Sequence, residues 1–291
     1  MISVIETVKE MQNISSKLIK SGETIGYVPT MGYLHEGHLT LIKKARKENS
    51  KVIISIFVNP LQFGPNEDYE TYPRNFARDK KLASEAGVDY IFYPSVQEMY
   101  PTEMTTNLTV TKRTDVLCGK NRIGHFDGVA TVLLKLFSII RPNRVYFGLK
   151  DAQQVAVVDG LIQDFNLPIE LCPVETVREE DGLAKSSRNV YLTMAEREEA
   201  PHLYKSLQEG VRLIESGKRN PEVVIAAINK YLKSNISGEV EYVEIHSFPS
   251  LLPLRQLEGK IIIALAVKYS KARLIDNIIL NVTWIYSIKG G

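Results

Sequence analysis

Short β-branched runs alternate with longer amphipathic segments across the first 176 residues of this 291-residue chain, and that alternation limits the fold more than any other feature. Apolar runs at residues 24–28, 52–58, 90–93, 145–147 and 168–171 read as strands. Segments 39–46, 75–86, 127–140 and 152–164 carry apolar residues at helical spacing. Another helix, with Val4, Val8, Met11, Ile14, Leu18 and Ile19 on one face, precedes the first run. The run Val52-Ile53-Ile54-Ser55-Ile56-Phe57-Val58 has almost no polar side, as expected of a strand covered on both faces. The pattern predicts a Rossmann-like parallel sheet with helices on both faces. Right-handed crossovers would then line up the loops that follow the strands along one edge.

The texture changes near residue 176. Residues 176–189 are rich in glycine, serine and charge, as in a loop between domains or over a site. Helical segments follow at 194–215 and 221–232, the second opened by Asn220 and Pro221 in cap and first-turn positions. Strand-like runs occupy 240–245 and 260–267. The expected division is a Rossmann-like domain over residues 1–176 and a smaller α+β domain over 177–291. Ile278-Ile279-Leu280 and the only tryptophan, Trp284, lie near the end.

Bulk properties exclude several classes. With 36 basic and 34 acidic residues the net charge is +2, which gives no general field for nucleic acid or anionic membrane. The longest clean apolar run, 261–267, is far too short to cross a bilayer. The N-terminal residues are acidic and lack a signal-peptide pattern. Cys118 and Cys172, the only cysteines, have no metal-like spacing and suggest a reducing compartment. A cytoplasmic protein is expected.

Between the first strand and the first helix after it stands Pro29-Thr30-Met31-Gly32-Tyr33-Leu34-His35-Glu36-Gly37-His38. A strand, a glycine-bearing turn and a helix N-terminus form an anion site, because the helix dipole and unpaired backbone N–H groups both favour negative charge. Histidines at i and i+3 project from nearly one side of such a helix start. They suit phosphate oxygens, whose charge raises an imidazole pKa, and Gly37 leaves room for a nucleotide against the backbone. The competing explanations are a pair of surface or capping histidines, or half of a zinc site with no third ligand at suitable spacing. A second element, Lys185-Ser186-Ser187-Arg188, offers cations and hydroxyls in a loop, fit either for a polyphosphate clamp or for plain solvation.

Together the two elements resemble the nucleotidyltransferase superfamily. More closely, the chain resembles the pantothenate synthetase family in five ordered blocks. These are residues 29–38; Phe57-Val58-Asn59-Pro60-x-Gln62-Phe63; Tyr72-Pro73-Arg74; Phe147-Gly148-x-Lys150-Asp151-x-Gln153-Gln154; and Asp181-Gly182-Leu183-Ala184-x-Ser186-Ser187-Arg188-Asn189. The resemblance implies ATP-dependent joining of pantoate and β-alanine through a pantoyl adenylate, with release of AMP and diphosphate.

Residue by residue, it implies that Met31, Gly32, Tyr33, Leu34, His35, Glu36, Gly37 and His38 bind ATP, with His38 as proton donor and His35 beside it on phosphate. Gly148, Leu149, Lys150 and Asp151 would hold the nucleotide: Lys150 on phosphate, and Asp151 on the ribose or as a helix cap. Val177 matches a backbone contact to adenine, and Lys185, Ser186, Ser187 and Arg188 the phosphate clamp. Lys185 stands where many members have Met or Leu. Gln62 and Gln154 match pantoate-binding glutamines, Gln62 also meeting β-alanine. Magnesium would accompany ATP, with Asp79 as its carboxylate ligand. The C-terminal domain would serve as a lid and the molecule would be a homodimer. Rivals are a nucleotidyltransferase that leaves AMP on its product and a non-catalytic adenylate-binding regulator.

Overall fold

The computed structural model describes residues 2–65 and 67–283, and the chain falls into two compact units. The first comprises Met1–Val177 with Lys185–Ser187, the second Arg178–Ala184 with Arg188–Gly291.

In the first unit the order is β1 (Ser3–Ile5), α1 (Val8–Lys20), β2 (Ile25–Thr30), α2 (Glu36–Glu48), β3 (Lys51–Ile56), α3 (Phe76–Glu85), β4 (Tyr90–Phe92), α4 (Val96–Met99), α5 (Leu117–Asn121), α6 (His125–Ile140), β5 (Arg144–Gly148), α7 (Ala152–Asp164) and β6 (Glu170–Val174). The sheet runs β1-β4-β3-β2-β5-β6, every pair parallel. Ile25, Tyr27 and Val28 of β2 and Val52, Ile53 and Ile54 of β3 are fully buried, as the unbroken apolar runs require. Leu41, Ile42 and Ala45 seat α2 against this core, each large side chain contributing about 2 kcal/mol of apolar burial.

The chain leaves β2 for β3 on one side and later returns to place β5 on the other. Loops that diverge from two adjacent strands open a crevice at their carboxyl ends, where α/β sheets receive ligands. The two flanking loops are residues 31–35, after β2, and the 3₁₀ turn Leu149–Asp151, after β5.

The second unit contains α8 (Met194–Glu199), α9 (Pro201–Glu215), α10 (Pro221–Asn235) and the antiparallel sheet β7 (Glu239–Ser247), β8 (Gly259–Lys268) and β9 (Arg273–Val282). Leu203, Leu207, Ile228 and Leu232 share one core with Ile261, Ile263 and Leu265. The two long helices approach closely at Gly210, where a Cβ would lie 2.6 Å from Ile228 Cδ1. Asp276, 3 % exposed in β9, accepts two hydrogen bonds from Arg178, at 2.6 and 2.9 Å.

Two local expectations are corrected. Residues 3–5 form an edge strand rather than the start of a helix, because pairing with β4 overrides three residues of helical spacing. The segment 194–215 is two helices, broken where Pro201 begins the second. Residues 95–124, a long stretch in which the sequence shows no clear strand or helix spacing, hold the short helices α4 and α5. Ile278, Ile279 and Leu280 belong to β9, whereas Trp284 lies outside the described residues.

Candidate active site

The turn after β2 is held from beneath. Gly32 has φ +86° and Tyr33 φ 50°, left-handed conformations that reverse the chain before α2. Asp79, 1 % exposed on α3, accepts N–H bonds from Tyr33 and Leu34, both at 2.7 Å. Gly32 fits this brace closely, since a Cβ there would stand 3.1 Å from Asp79 Oδ2. Thr30 Oγ1 accepts from Gly32 N at 3.1 Å and donates to Ser55 O at 2.7 Å. Each carboxylate oxygen of Asp79, the expected magnesium ligand, thus accepts one backbone N–H of the turn.

His35 is the N-cap of α2, and His38 lies in its first turn. His35 Nδ1 accepts from Gly37 N at 3.1 Å, and His38 Nδ1 accepts from His35 N at 3.3 Å. The ring centroids are 4.1 Å apart. A neutral imidazole with Nδ1 accepting must carry its proton on Nε2. Burial pulls the His35 pKa down to about 4, with Lys150 and Lys185 adding to the shift. Burial also pulls His38 well below its ordinary value, with His35 and then Lys150 adding to the effect. The protein's own groups thus oppose the raised pKa expected from phosphate. Both rings are neutral Nε2–H donors.

The capping role, an alternative to function in the sequence, is thus real and leaves the outer nitrogen of each ring for a ligand. The N–H groups of Tyr33, Leu34, His35 and Gly37 are spent inside the protein. The imidazoles therefore take over much of the donation expected from the backbone. Gly37 has a local reason too, because a Cβ would come 2.8 Å from His35 Cε1.

Lys150 sits on the turn after β5, its side chain 19 % exposed, with Nζ 3.6 Å from Asp151 Oδ2. Asp151 occupies the N-cap position of α7 but makes no side-chain cap bond, so its half-exposed carboxylate is not spent on the helix. Lys185 donates its backbone N–H to Val177 O at 2.9 Å, and its ammonium pairs with Glu36. Lys185, Ser186 and Ser187 fall in the first unit, with Ser187 buried and Ser186 half-buried. Arg188 falls in the second unit.

Gln62 closes a short 3₁₀ turn, Pro60–Gln62, after β3. Its amide donates to Met31 Sδ at 3.3 Å and accepts from Asn59 Nδ2 at 3.2 Å, which joins it to the histidine-bearing turn. Gln154 is half-buried on α7 and makes no side-chain hydrogen bond among the described residues. Its neighbour Gln153 is structural, bonding Arg113 O, Val116 O and Gly119 N. A cavity of about 530 Å³ touches Met31 and Gly32 and is walled by Phe57, Phe76 and Tyr93; neither glutamine lines it.

Sequence reasoning gave no role to Asn59, Glu67, Arg122 or His125. Asn59 donates to Gly128 O at 3.0 Å and accepts from Tyr100 Oη at 2.8 Å, fixing the turn that carries Gln62. One usable signal was His125, placed at a helix start after glycine in a chain with five histidines.

The sequence profile of the pantoate-beta-alanine ligase family matches residues 3–279. The chain belongs to that family. Pantoate–β-alanine ligases catalyse the ATP-dependent condensation of pantoate with β-alanine, and this member is an ATP-dependent ligase of that kind. It is 60 % identical over 279 residues to a pantothenate synthetase of Bacillus mycoides (strain KBAB4), covering 96 % of this chain and 99 % of the relative. It is 59 % identical to that of Bacillus cereus (strain G9842), covering 97 % and 100 %. Among solved structures, a pantothenate synthetase from Thermus thermophilus superposes with TM-score 0.89 at 43 % identity, covering 95 % and 99 %. The pantoate-β-alanine ligase of Francisella tularensis, complexed with "Beta-gamma ATP and Beta-alanine", has TM-score 0.78 at 36 % identity, covering 96 % and 97 %.

Among the described residues no three His, Cys, Asp or Glu side chains gather as a metal cage.

Proposed function

We propose that His35, His38 and Lys150 stabilise adenylation of pantoate at the mouth of α2. The pantoate carboxylate attacks the α-phosphorus of ATP, the bond to the bridging oxygen breaks, and diphosphate leaves with the electron pair. The observation that carries this assignment is the pair of Nε2–H donors fixed side by side, with an ammonium on the adjoining loop. Such donors act where charge develops in the transition state and need no reorientation. The amine of β-alanine then attacks the acyl carbon of the pantoyl adenylate, forming the amide as AMP leaves and the amine gives up a proton. Gln62 and Gln154 are assigned to pantoate, Gln62 also to β-alanine; an amide can donate to a carboxylate or accept from a hydroxyl without adding charge.

Residues 31–38, 148–151, Val177 and 185–188 are assigned to ATP. Residues 1–176 form the nucleotide- and pantoate-binding domain in this assignment, and residues 177–291 the lid that keeps water from the acyl adenylate. Magnesium would come with the phosphates and its own water, the usual habit of that ion. A cytoplasmic location is supported by the buried settings of Cys118 and Cys172, which are far apart in sequence. A homodimer is assigned from family resemblance alone, and light scattering tests it.

ATP–diphosphate exchange driven by pantoate tests the central step. His38→Ala should lower exchange by about 100-fold or more, the scale of losing one transition-state donor, with ATP affinity changed little. Wild-type exchange in that variant removes His38 from the chemistry.

A further inference from the structure

Gln62 reaches its ligand from a loop, and a loop must be held if one of its amides is to be aimed. The backbone oxygen of Gln62 accepts from His125 Nδ1 at 2.7 Å. The other ring nitrogen, Nε2, lies 2.9 Å from Arg122 Nη1. A guanidinium can only donate, so Nε2 is the acceptor and the His125 proton must sit on Nδ1, directed at Gln62. Arg122 in turn grips Glu67 with two bonds, at 2.5 and 2.6 Å. The chain therefore runs Glu67, Arg122, His125, Gln62 O. It ties Gln62 to the start of α6 and Glu67 to the C-terminal cap of α5.

The same helix supports the loop sterically. A Cβ at Gly128 would fall 2.1 Å from Leu61 O, so the 3₁₀ turn rests directly on α6. The four partners are partly buried, where a charge-assisted bond holds geometry better than it would in water.

We propose that Arg122 and His125 are positioning residues that set the aim of the Gln62 amide and thereby the affinity for pantoate. They act through Gln62 and are not assigned a contact with substrate. The proposal rests on the assignment of Gln62 to pantoate.

The experiment is pantoate-driven ATP–diphosphate exchange, which needs no β-alanine. His125→Phe should raise the pantoate KM about tenfold, the loss of one ordering hydrogen bond, while the ATP KM stays within twofold. His125→Asn, which keeps a donor and an acceptor on a planar group, should recover part of that loss. Glu67→Gln, a milder change on a partly exposed side chain, should raise the pantoate KM in the same direction and serves if His125→Phe does not fold. In a Gln62→Ala background, His125→Phe should have no further effect.

A His125→Phe or Glu67→Gln enzyme with a wild-type pantoate KM, alongside a Gln62→Ala enzyme whose KM rises, overturns the positioning role and leaves Gln62 in place. Full additivity of the two substitutions also overturns it. A Gln62→Ala enzyme with unchanged pantoate KM removes the Gln62 assignment itself.

Discussion

The Lys185 ammonium is paired with the Glu36 carboxylate in the first turn of α2. An acidic side chain of the protein thus holds a cation assigned to the phosphates of ATP. Exposed pairs of this kind are weak and screened by solvent and salt. Glu36→Gln should therefore lower the ATP KM by up to about fivefold, and less at high salt, where screening already weakens the pair. Steady-state measurements at two ionic strengths check both parts, and a raised KM would show that Glu36 instead holds Lys185 in place.

Asp79 braces the turn, so Asp79→Asn should act on stability. One of two backbone N–H groups would face an amide that accepts through a single oxygen, at a cost of about 2–3 kcal/mol. Urea midpoints read that loss. Magnesium titration of activity should keep its wild-type midpoint, whereas a shifted requirement would return Asp79 to the metal.

Adjacent glutamines on α7 should separate by assay. Gln153→Ala removes three hydrogen bonds and should destabilise the fold by about 2–4 kcal/mol. Gln154→Ala should leave the unfolding midpoint alone and raise the pantoate KM. Equal effects of both on stability would place Gln154 among the structural residues.

Histidine titration gives a signed pH effect. His35 and His125 are held at about 4 in the folded chain, against 6.5 ordinarily. Between those values the unfolded chain binds more protons than the folded one, so stability rises with pH. It should be complete above about 6.5 and fall as pH drops towards 4. Because kcat/KM reports the free enzyme, these groups should produce no inflection near 6.5 in kcat/KM for ATP. Denaturation midpoints from pH 4 to 7 and a pH–rate profile test the two statements separately.

The parallel sheet was legible because β2 and β3 are buried on both faces and so carry uninterrupted apolar runs. The three-residue strand β1 was not, since only its pairing with distant β4 makes it a strand. His35 and His38 could be singled out from spacing, and Gln62 and Gln154 nominated from resemblance. The duties of Asp79 and His125 could not. Each depends on a backbone group, 45 residues away for Asp79 and Leu34, 63 for His125 and Gln62, that no local pattern announces.

Two imidazoles that spend their inner lone pairs on the backbone have none left to face a substrate. As neutral rings they can donate hydrogen bonds outward through Nε2–H, but they neither release nor collect a proton. The site is thereby one-directional: it suits a departing oxyanion and offers no imidazole base to the ammonium of an incoming amine. The proton shed when the amide forms must leave through another acceptor, and the oxygens of the departing phosphate are the nearest that the chemistry itself provides.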